Sequence, residues 1–436
     1  MKVIQKASSL RGTVTVPGDK SVSHRSVMIG AIAEGDTVVR GFLKSADCLA
    51  TIDCFRRMGI EIEETGGEDP LLIIHGRGLR GLQGSDEITS LYAANSGTTV
   101  RLMSGILAGQ GFVSRITGDA SLSRRPMRRI LEPLGRMGIN AVSEDGSGRL
   151  PIRIEGGSPG GICYEQPVAS AQVKSCVLLA GLYADSPCTV IEPALSRNHT
   201  ELMLEAFGGR LDTELLADGR AKVTVFPGAE LSGREIAVPG DISSAAYFLA
   251  AGLIVPDSEV TLRGVGINET RDGILRVIRA MDGEIEISGR RMEGQEPAAD
   301  LTVRSSRLHG TEIGGAIIPT LIDEIPVIAV MAACAEGDTV IRDAGELKVK
   351  ETDRLAEIVK DLRLMGISAE EAPDGMVIHG GRLRSAVIDP AGDHRMAMAS
   401  AVAGLAAEGG VSISDEECVN ISYPGFFRDL QGLIRD

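Results

Sequence analysis

Tryptophan is absent from the 436-residue chain, and aromatic residues together make up only 3% of it. So few rings argue against a single-stranded nucleic-acid platform, which works by stacking bases on aromatic faces. Basic charge is also short: 45 Lys and Arg stand against 60 Asp and Glu, a formal net charge of −15. Nucleic acids and anionic membranes select basic surfaces, so neither is expected as a partner. No apolar run approaches the roughly 18 residues that suggest a membrane span. The opening MKVIQKASSLRG lacks the apolar stretch of a secretory signal. Seven cysteines (48, 54, 163, 176, 188, 334 and 418) are odd in number and form no C-x-x-C pair. That usage fits free thiols in a reducing cytoplasm, not a disulfide framework or a zinc site. With no H-E-x-x-H or EF-hand pattern either, no metal and no cofactor are expected.

What the chain has in excess is glycine: 54 residues, about 12% against roughly 7% in average usage. A six-fold internal repeat accounts for much of it. Short β-like runs ending in a Gly-rich turn open at positions 2, 71, 151, 222, 301 and 376 (KVIQKASSLRG, LLIIHGRGLRG, PIRIEGGSPGG, KVTVFPGAELSG, LTVRSSRLHG, MVIHGGRLRS). Each is followed by a helix rich in small apolar residues, at 23–35, 96–109, 170–183, 243–254, 324–337 and 394–409. These helices are apolar on nearly every side, which predicts interior positions. A β-branched strand follows each, as in DTVVRGF and CTVIEP, and then an amphipathic helix closing on Gly, as in FRRMGI, LGRMGI, AMDGEI and DLQGLI. Glycine there predicts a left-handed helix cap.

The fold class is therefore α/β, built from a β-β-α-β-α unit repeated six times. The sixth unit shows no strand after its last helix, while Lys2–Ala7 is a strand with no helix before it, so the N-terminal strand should complete the last unit. Residues 17–236 then form a first three-repeat domain, and residues 237–436 plus 1–16 a second. TVTVPGDKSVS and EIAVPGDISSA, at corresponding places in the two halves, echo each other.

Familiar nucleotide motifs fail on context. GRGLRG (76–81) lies on a repeat opener with no helix after it, and GDKS (18–21) has the wrong spacing for a phosphate-binding loop. What survives is a set of polar residues at the starts of the helices: Lys20, Ser21 and Arg25; Gly97 and Arg101; Arg124 and Arg125; Ser170, Gln172 and Lys174; Ser196 and Arg197; Arg271; Lys348, Lys350 and Arg354; Arg395. A cation opposes the positive end of a helix dipole, so bases repeated at helix starts call for an anion to offset them. Parallel helices would turn these ends toward a cleft between the domains, suited to two anionic substrates. Asp323 and Glu351 are the carboxylates placed for proton transfer.

PGDKSVSHR, NSGTTVRL, SRRPM, VASAQVKS, SRNHTE, LIDEIP, VKETDRL, DHRMAMA and SYPGFF occur in this order. Together they resemble the 5-enolpyruvylshikimate-3-phosphate synthase family over essentially the whole chain. The resemblance implies a two-domain inside-out α/β barrel, each domain carrying three copies of a β-α-β-α-β-β unit, with the active site in the cleft between them. It implies transfer of the enolpyruvyl group of phosphoenolpyruvate to the 5-hydroxyl of shikimate 3-phosphate. No cofactor or metal takes part, and a monomer is expected.

Carried over by motif, Lys20, Ser21, Arg25, Ser170, Ala171, Gln172, Ser196, Asp323 and Lys350 match shikimate 3-phosphate positions. Lys20, Gly97, Arg125, Gln172, Arg354 and Arg395 match phosphoenolpyruvate positions. Asp323 matches the base for the 5-hydroxyl, and Glu351 or Lys20 would handle the proton at the methylene carbon. Asn420 and Ile421 stand where many members have a lysine, and Glu346 where some have an asparagine. Leu102, R-x-H-x-E (197–201), S-A-Q-x-K (170–174) and N-x-T-R (268–271) resemble the glyphosate-tolerant class. The rival readings are a UDP-N-acetylglucosamine enolpyruvyl transferase and a repeat scaffold without catalysis. The first would show Asn after Lys20 and a reactive loop cysteine. The second would leave its helix starts neutral.

Overall fold

The computed structural model describes residues 1–67 and 70–435; Glu68, Asp69 and Asp436, the last being the end of the expected second domain, lie outside the described residues. The chain divides into two compact units, one made of Met1–Pro17, Pro239–Met292 and Pro297–Asp436, the other of Gly18–Val238 and Glu293–Glu296. Each unit has its own apolar core.

Twelve α-helices occur among the described residues, two per repeat: α1 (Lys20–Ala31), α2 (Ala46–Arg57), α3 (Gly97–Ala108), α4 (Arg128–Arg136), α5 (Ala171–Gly181), α6 (His199–Ala206), α7 (Ile242–Ile254), α8 (Gly273–Ala280), α9 (Ile325–Ala333), α10 (Arg354–Leu364), α11 (His394–Ala406) and α12 (Phe426–Leu433). The odd-numbered helices are the small-residue ones, and nearly all their residues are buried. Small residues permit close backbone approach. A Cβ on Gly105 of α3 would stand 2.2 Å from the Cys176 carbonyl oxygen of α5. No helix among the described residues is long and apolar enough to cross a membrane.

The sheets repeat one strand order. Thr89–Tyr92 runs parallel to Val113–Thr117, which is antiparallel to Ile152–Glu155, itself antiparallel to Asn140–Ser143. The strands Cys163–Glu165, Cys188–Glu192, Ala221–Phe226 and Arg210–Leu215 follow the same order, as do Glu312–Ile313, Asp338–Ile341, Gly375–His379 and Ala369–Ala372. Where the sequence has no strand at the required place, a distant one fills it. Glu235–Ala237, after the third repeat, supplies the parallel edge next to Glu34–Arg40 of the first. Ser9–Val14 does the same beside Glu259–Gly266, and Lys2–Ile4 completes the sixth sheet against Glu408–Ile413, in the register Lys2↔Ile413.

Three local expectations need correction. Gly59, Gly138, Gly208 and Gly366 take the left-handed conformation just past α2, α4, α6 and α10 (φ +81°, +82°, +100° and +81°). After α8 the left-handed residue is Asp282 (φ +61°), not Gly283. A short polar side chain tolerates that region, and a Cβ on Gly283 would press on Ile278. Gly432 lies inside α12 and caps nothing. A strand does follow α12: Ile434–Arg435 pairs antiparallel with Ser9 and Leu10.

Candidate active site

In the unit formed by Gly18–Val238 and Glu293–Glu296, the expected residues lie near the starts of α1, α3 and α5, with Arg125 before α4 and Ser196 before α6. Asp19 caps α1 by accepting the Val22 N–H at 2.9 Å, which places Lys20 and Ser21 in the opening turn. Lys20 forms an ion pair with Asp47. Buried Arg25 is held by neutral groups: Nε donates to Thr200 Oγ1 (2.7 Å), Nη2 to Ser175 Oγ (3.0 Å) and Nη1 to the Ser21 carbonyl (3.0 Å). Burial outweighs the pull of Glu201 and Asp19 and brings its pKa down to about 10. A guanidinium desolvated in this way and held by hydroxyls gains from an incoming anion.

A second group converges on Gly97. A Cβ there would come within 3.0 Å of Arg101 Nη1 and 3.5 Å of Arg125 Nη1, so the bare Cα leaves room for both guanidiniums. Arg125 Nη2 donates to Asn95 Oδ1 (2.6 Å). Arg101 Nη1 donates to Gln172 Oε1 (2.5 Å), and Gln172 Nε2 donates to Thr98 Oγ1 (3.0 Å). Gly97, Arg125 and Gln172 are thus brought together, and Arg101 joins them. Ser170 occupies the N-cap of α5 without a side-chain capping bond, with Ala171 next to it.

Ser196 is tied inward. Its N–H and its hydroxyl donate to the two oxygens of Glu192 (both 2.7 Å), and its carbonyl accepts from Lys174 Nζ (3.1 Å). Lys174 pairs with Glu192 (2.9 Å) and Glu201 (2.7 Å), all three side chains between 0% and 5% exposed. The anion that offsets this helix-start lysine is therefore the protein's own, and Lys174 offers no charge to a ligand.

The other unit gathers its residues around one carboxylate. The N-cap position of α9 belongs to Glu324, so Asp323 precedes the helix without capping it. Its Oδ1 faces Lys350 Nζ (3.3 Å) and Arg354 Nη1 (3.5 Å), and its Oδ2 faces Arg271 Nη1 (3.8 Å) and Arg395 Nη2 (3.9 Å). Arg395 Nη1 also donates to the Asp323 carbonyl (3.3 Å). Arg354 is 1% exposed; it donates through Nε and Nη2 to Asp393 (2.7 and 3.1 Å) and through Nη2 to Glu351 (2.5 Å). Burial alone would lower its pKa, but Asp393 and Glu351 outweigh it and hold the guanidinium charged. Asp323, Lys350, Glu351, Arg354 and Arg395 therefore form one cluster, as the motifs imply. Arg271 belongs to it too; sequence reasoning placed it at a helix start but not at the carboxylate. Asn420 donates to Glu417 on the surface (2.9 Å) and Ile421 packs on the core, so neither supplies the family's lysine charge.

Two turns along α10 from Arg354, Asp361 is 3% exposed, and neither carboxylate oxygen has a hydrogen-bond partner among the described residues. Burial, reinforced by Glu357 and Asp389 against Lys360, pushes its pKa up to about 7. A raised carboxylate pKa is a stability penalty that is absent below the unfolded value, grows as pH rises and is complete above the folded value. Asp361→Asn is expected to be more stabilising at about pH 8 than at about pH 4 by roughly 2–4 kcal/mol. Urea unfolding at the two pH values checks this; an equal effect at both would refute it.

The chain is similar to several known proteins. Residues 4–430 match the family model described as EPSP synthase (3-phosphoshikimate 1-carboxyvinyltransferase). A 3-phosphoshikimate 1-carboxyvinyltransferase of Geobacter sulfurreducens is 52% identical over 421 residues, 96% of each chain. One of Brevibacillus brevis is 52% identical over 424 residues, 97% of each. The solved EPSP synthase of Acinetobacter baumannii superposes with a TM-score of 0.86 at 42% identity, covering 99% of this chain and 97% of its own. The enolpyruvyl transferase NikO of Streptomyces tendae, at 17% identity and a TM-score of 0.77, covers 99% of this chain and 96% of its own and shares the fold. With its two-domain inside-out α/β fold and identity near half along almost its whole length, the chain belongs to the EPSP synthase family.

Proposed function

We propose that this chain transfers the enolpyruvyl group of phosphoenolpyruvate to the 5-hydroxyl of shikimate 3-phosphate, in the pathway to chorismate and the aromatic amino acids. The observation that carries the residue assignment is the Asp323 carboxylate, which faces four cations at once, Lys350, Arg354, Arg395 and Arg271. Asp323 takes the hydroxyl proton as oxygen O5 attacks C2 of phosphoenolpyruvate, while Glu351 or Lys20 delivers a proton to the methylene carbon. The tetrahedral adduct then returns a proton from the new methyl group to Glu351 or Lys20 and expels phosphate, restoring the double bond. Lys20, Ser21, Arg25, Ser170, Ala171, Gln172, Ser196, Asp323 and Lys350 hold shikimate 3-phosphate. Lys20, Gly97, Arg125, Gln172, Arg354 and Arg395 hold phosphoenolpyruvate, the arginines by the bidentate pairing that suits carboxylate and phosphate. Residues of both units serve the one reaction, in a monomeric cytoplasmic enzyme.

Phosphate release from phosphoenolpyruvate is expected with shikimate 3-phosphate as acceptor and not with UDP-N-acetylglucosamine; the reverse preference would reject the assignment. Leu102 and the R-x-H-x-E, S-A-Q-x-K and N-x-T-R segments support glyphosate tolerance. The inhibition constant for glyphosate is then expected to exceed the KM for phosphoenolpyruvate, and a value far below that KM would refute tolerance.

A further inference from the structure

Among the four cations facing Asp323, Arg271 is the one the motifs leave without a task. It is buried, and its surroundings differ from those of the other three. Nη2 donates to Ser243 Oγ (2.6 Å) and lies 3.5 Å from Asp241 Oδ1 and 3.7 Å from Glu324 Oε1. Ser243 donates in turn to Glu324, the residue next to Asp323 and itself 1% exposed. Asp241 caps α7 through the Ser243 N–H (2.9 Å), which fixes the serine in place. Arg271 therefore sits between two carboxylates that it neutralises, Asp241 and Glu324, and the carboxylate read as the base, Asp323.

We infer that Arg271, braced by Ser243 and Glu324, is a positioning residue: it sets the orientation of Asp323 from the Oδ2 side and, with Glu324 as counter-charge, tunes that carboxylate's affinity for the proton. The inference rests on reading Asp323 as the base. The charged groups around Asp323 come from every element of the cluster: Asp241 before α7, Arg271 before α8, Glu324 at the start of α9, Lys350, Glu351 and Arg354 at α10, and Asp393 and Arg395 at α11. Arg271 and Glu324 are the opposed pair among them that the substrate assignment does not use, so their effects can be separated from binding.

The test is the pH profile of kcat in charge-changing variants of the whole enzyme. Arg271→Gln removes a cation beside the base, so the acid limb of the profile is expected to move up by about one pH unit. Adding Glu324→Gln to that variant removes the anion next to the base along the chain and should move the limb back down. Arg271→Lys keeps the charge but not the forked geometry, so the limb should stay near its wild-type place. There kcat falls by about 10- to 100-fold, and both KM values stay within about threefold. A merely structural arginine would not give shifts of opposite sign. Unmoved limbs, or limbs moving the same way, would overturn the inference while an inactive Asp323→Asn enzyme upheld the base. Full turnover in Asp323→Asn would instead remove the base and this inference with it. Should Arg271→Gln not fold, Glu324→Gln alone must not move the limb upward.

Discussion

Asp323→Asn is expected to lower turnover by about 10²–10⁴-fold, the range a positioned general base contributes. Asparagine keeps the size of the side chain and one acceptor oxygen but cannot take up the hydroxyl proton. Binding should respond in the opposite sense. Removing the negative charge leaves Lys350 and Arg395, 3.3 and 3.9 Å from a now neutral side chain, with one counter-charge fewer to set against their pull on anionic substrates. The dissociation constant of shikimate 3-phosphate is therefore expected to stay within about threefold of wild type or to fall, and the KM for phosphoenolpyruvate likewise. Calorimetry with shikimate 3-phosphate alone, beside steady-state phosphate release, separates the two effects. Weak substrate binding with near-normal turnover at saturation would assign Asp323 to binding and not to proton transfer.

Lys174→Met is the substitution with the largest expected effect on stability. It leaves Glu192 and Glu201 buried and facing each other with no cation between them. Breaking a buried ion pair by removing one partner costs about 3–5 kcal/mol. The loss should shrink as the pH is lowered, because two carboxylates without a counter-charge have raised pKa values in the folded state, and their penalty disappears once they are protonated. Methionine is close to lysine in shape, so packing changes little and charge is what is tested. Denaturant unfolding followed by far-UV circular dichroism is the measurement, since the chain has no tryptophan to report by fluorescence. A variant within about 1 kcal/mol of wild type would refute the account. Glu192→Gln added to Lys174→Met should recover part of the loss. It should weaken shikimate 3-phosphate binding if the Glu192 bonds to Ser196 are what hold that serine in place.

Most of the architecture was legible because it repeats. Six Gly-turned openers, six small-residue helices and the strands after them fall where the spacing puts them, and periodicity averages out local ambiguity. The misses are places where one residue faces a decision that local pattern does not determine. Gly283 and Gly432 look like caps, but Asp282 makes the turn in one case and the helix runs through in the other. The strand Ile434–Arg435 is two residues long and exists only because Ser9 and Leu10 offer it an edge. At the site, motifs mark which residues are present but not which way they face. Lys174 and Arg25 both follow helix starts in polar segments. The first ends among carboxylates and is neutralised, the second among hydroxyls and is not. That difference depends on Glu192 and Glu201, which come from another strand and another helix. Arg271 escaped for the same reason, since its neighbours Asp241, Ser243 and Glu324 lie far from it along the chain.

The pairing of Ser9–Val14 with Glu259–Gly266 also has a consequence in time. Leu10 donates its N–H to Ser258 Oγ across 248 residues. At a synthesis rate of about 5–20 residues per second, the early strand waits roughly 12–50 s on the ribosome before its partner exists. An unpaired strand edge held open that long invites association with a neighbouring nascent chain. SLRGTV suits the wait: it is short, carries an arginine and a glycine, and its Arg11, Gly12 and Thr13 remain exposed even after pairing. The insertion of one unit within the other thus asks something of the residues of the earlier strand. They must be poor at pairing early yet fit a sheet late.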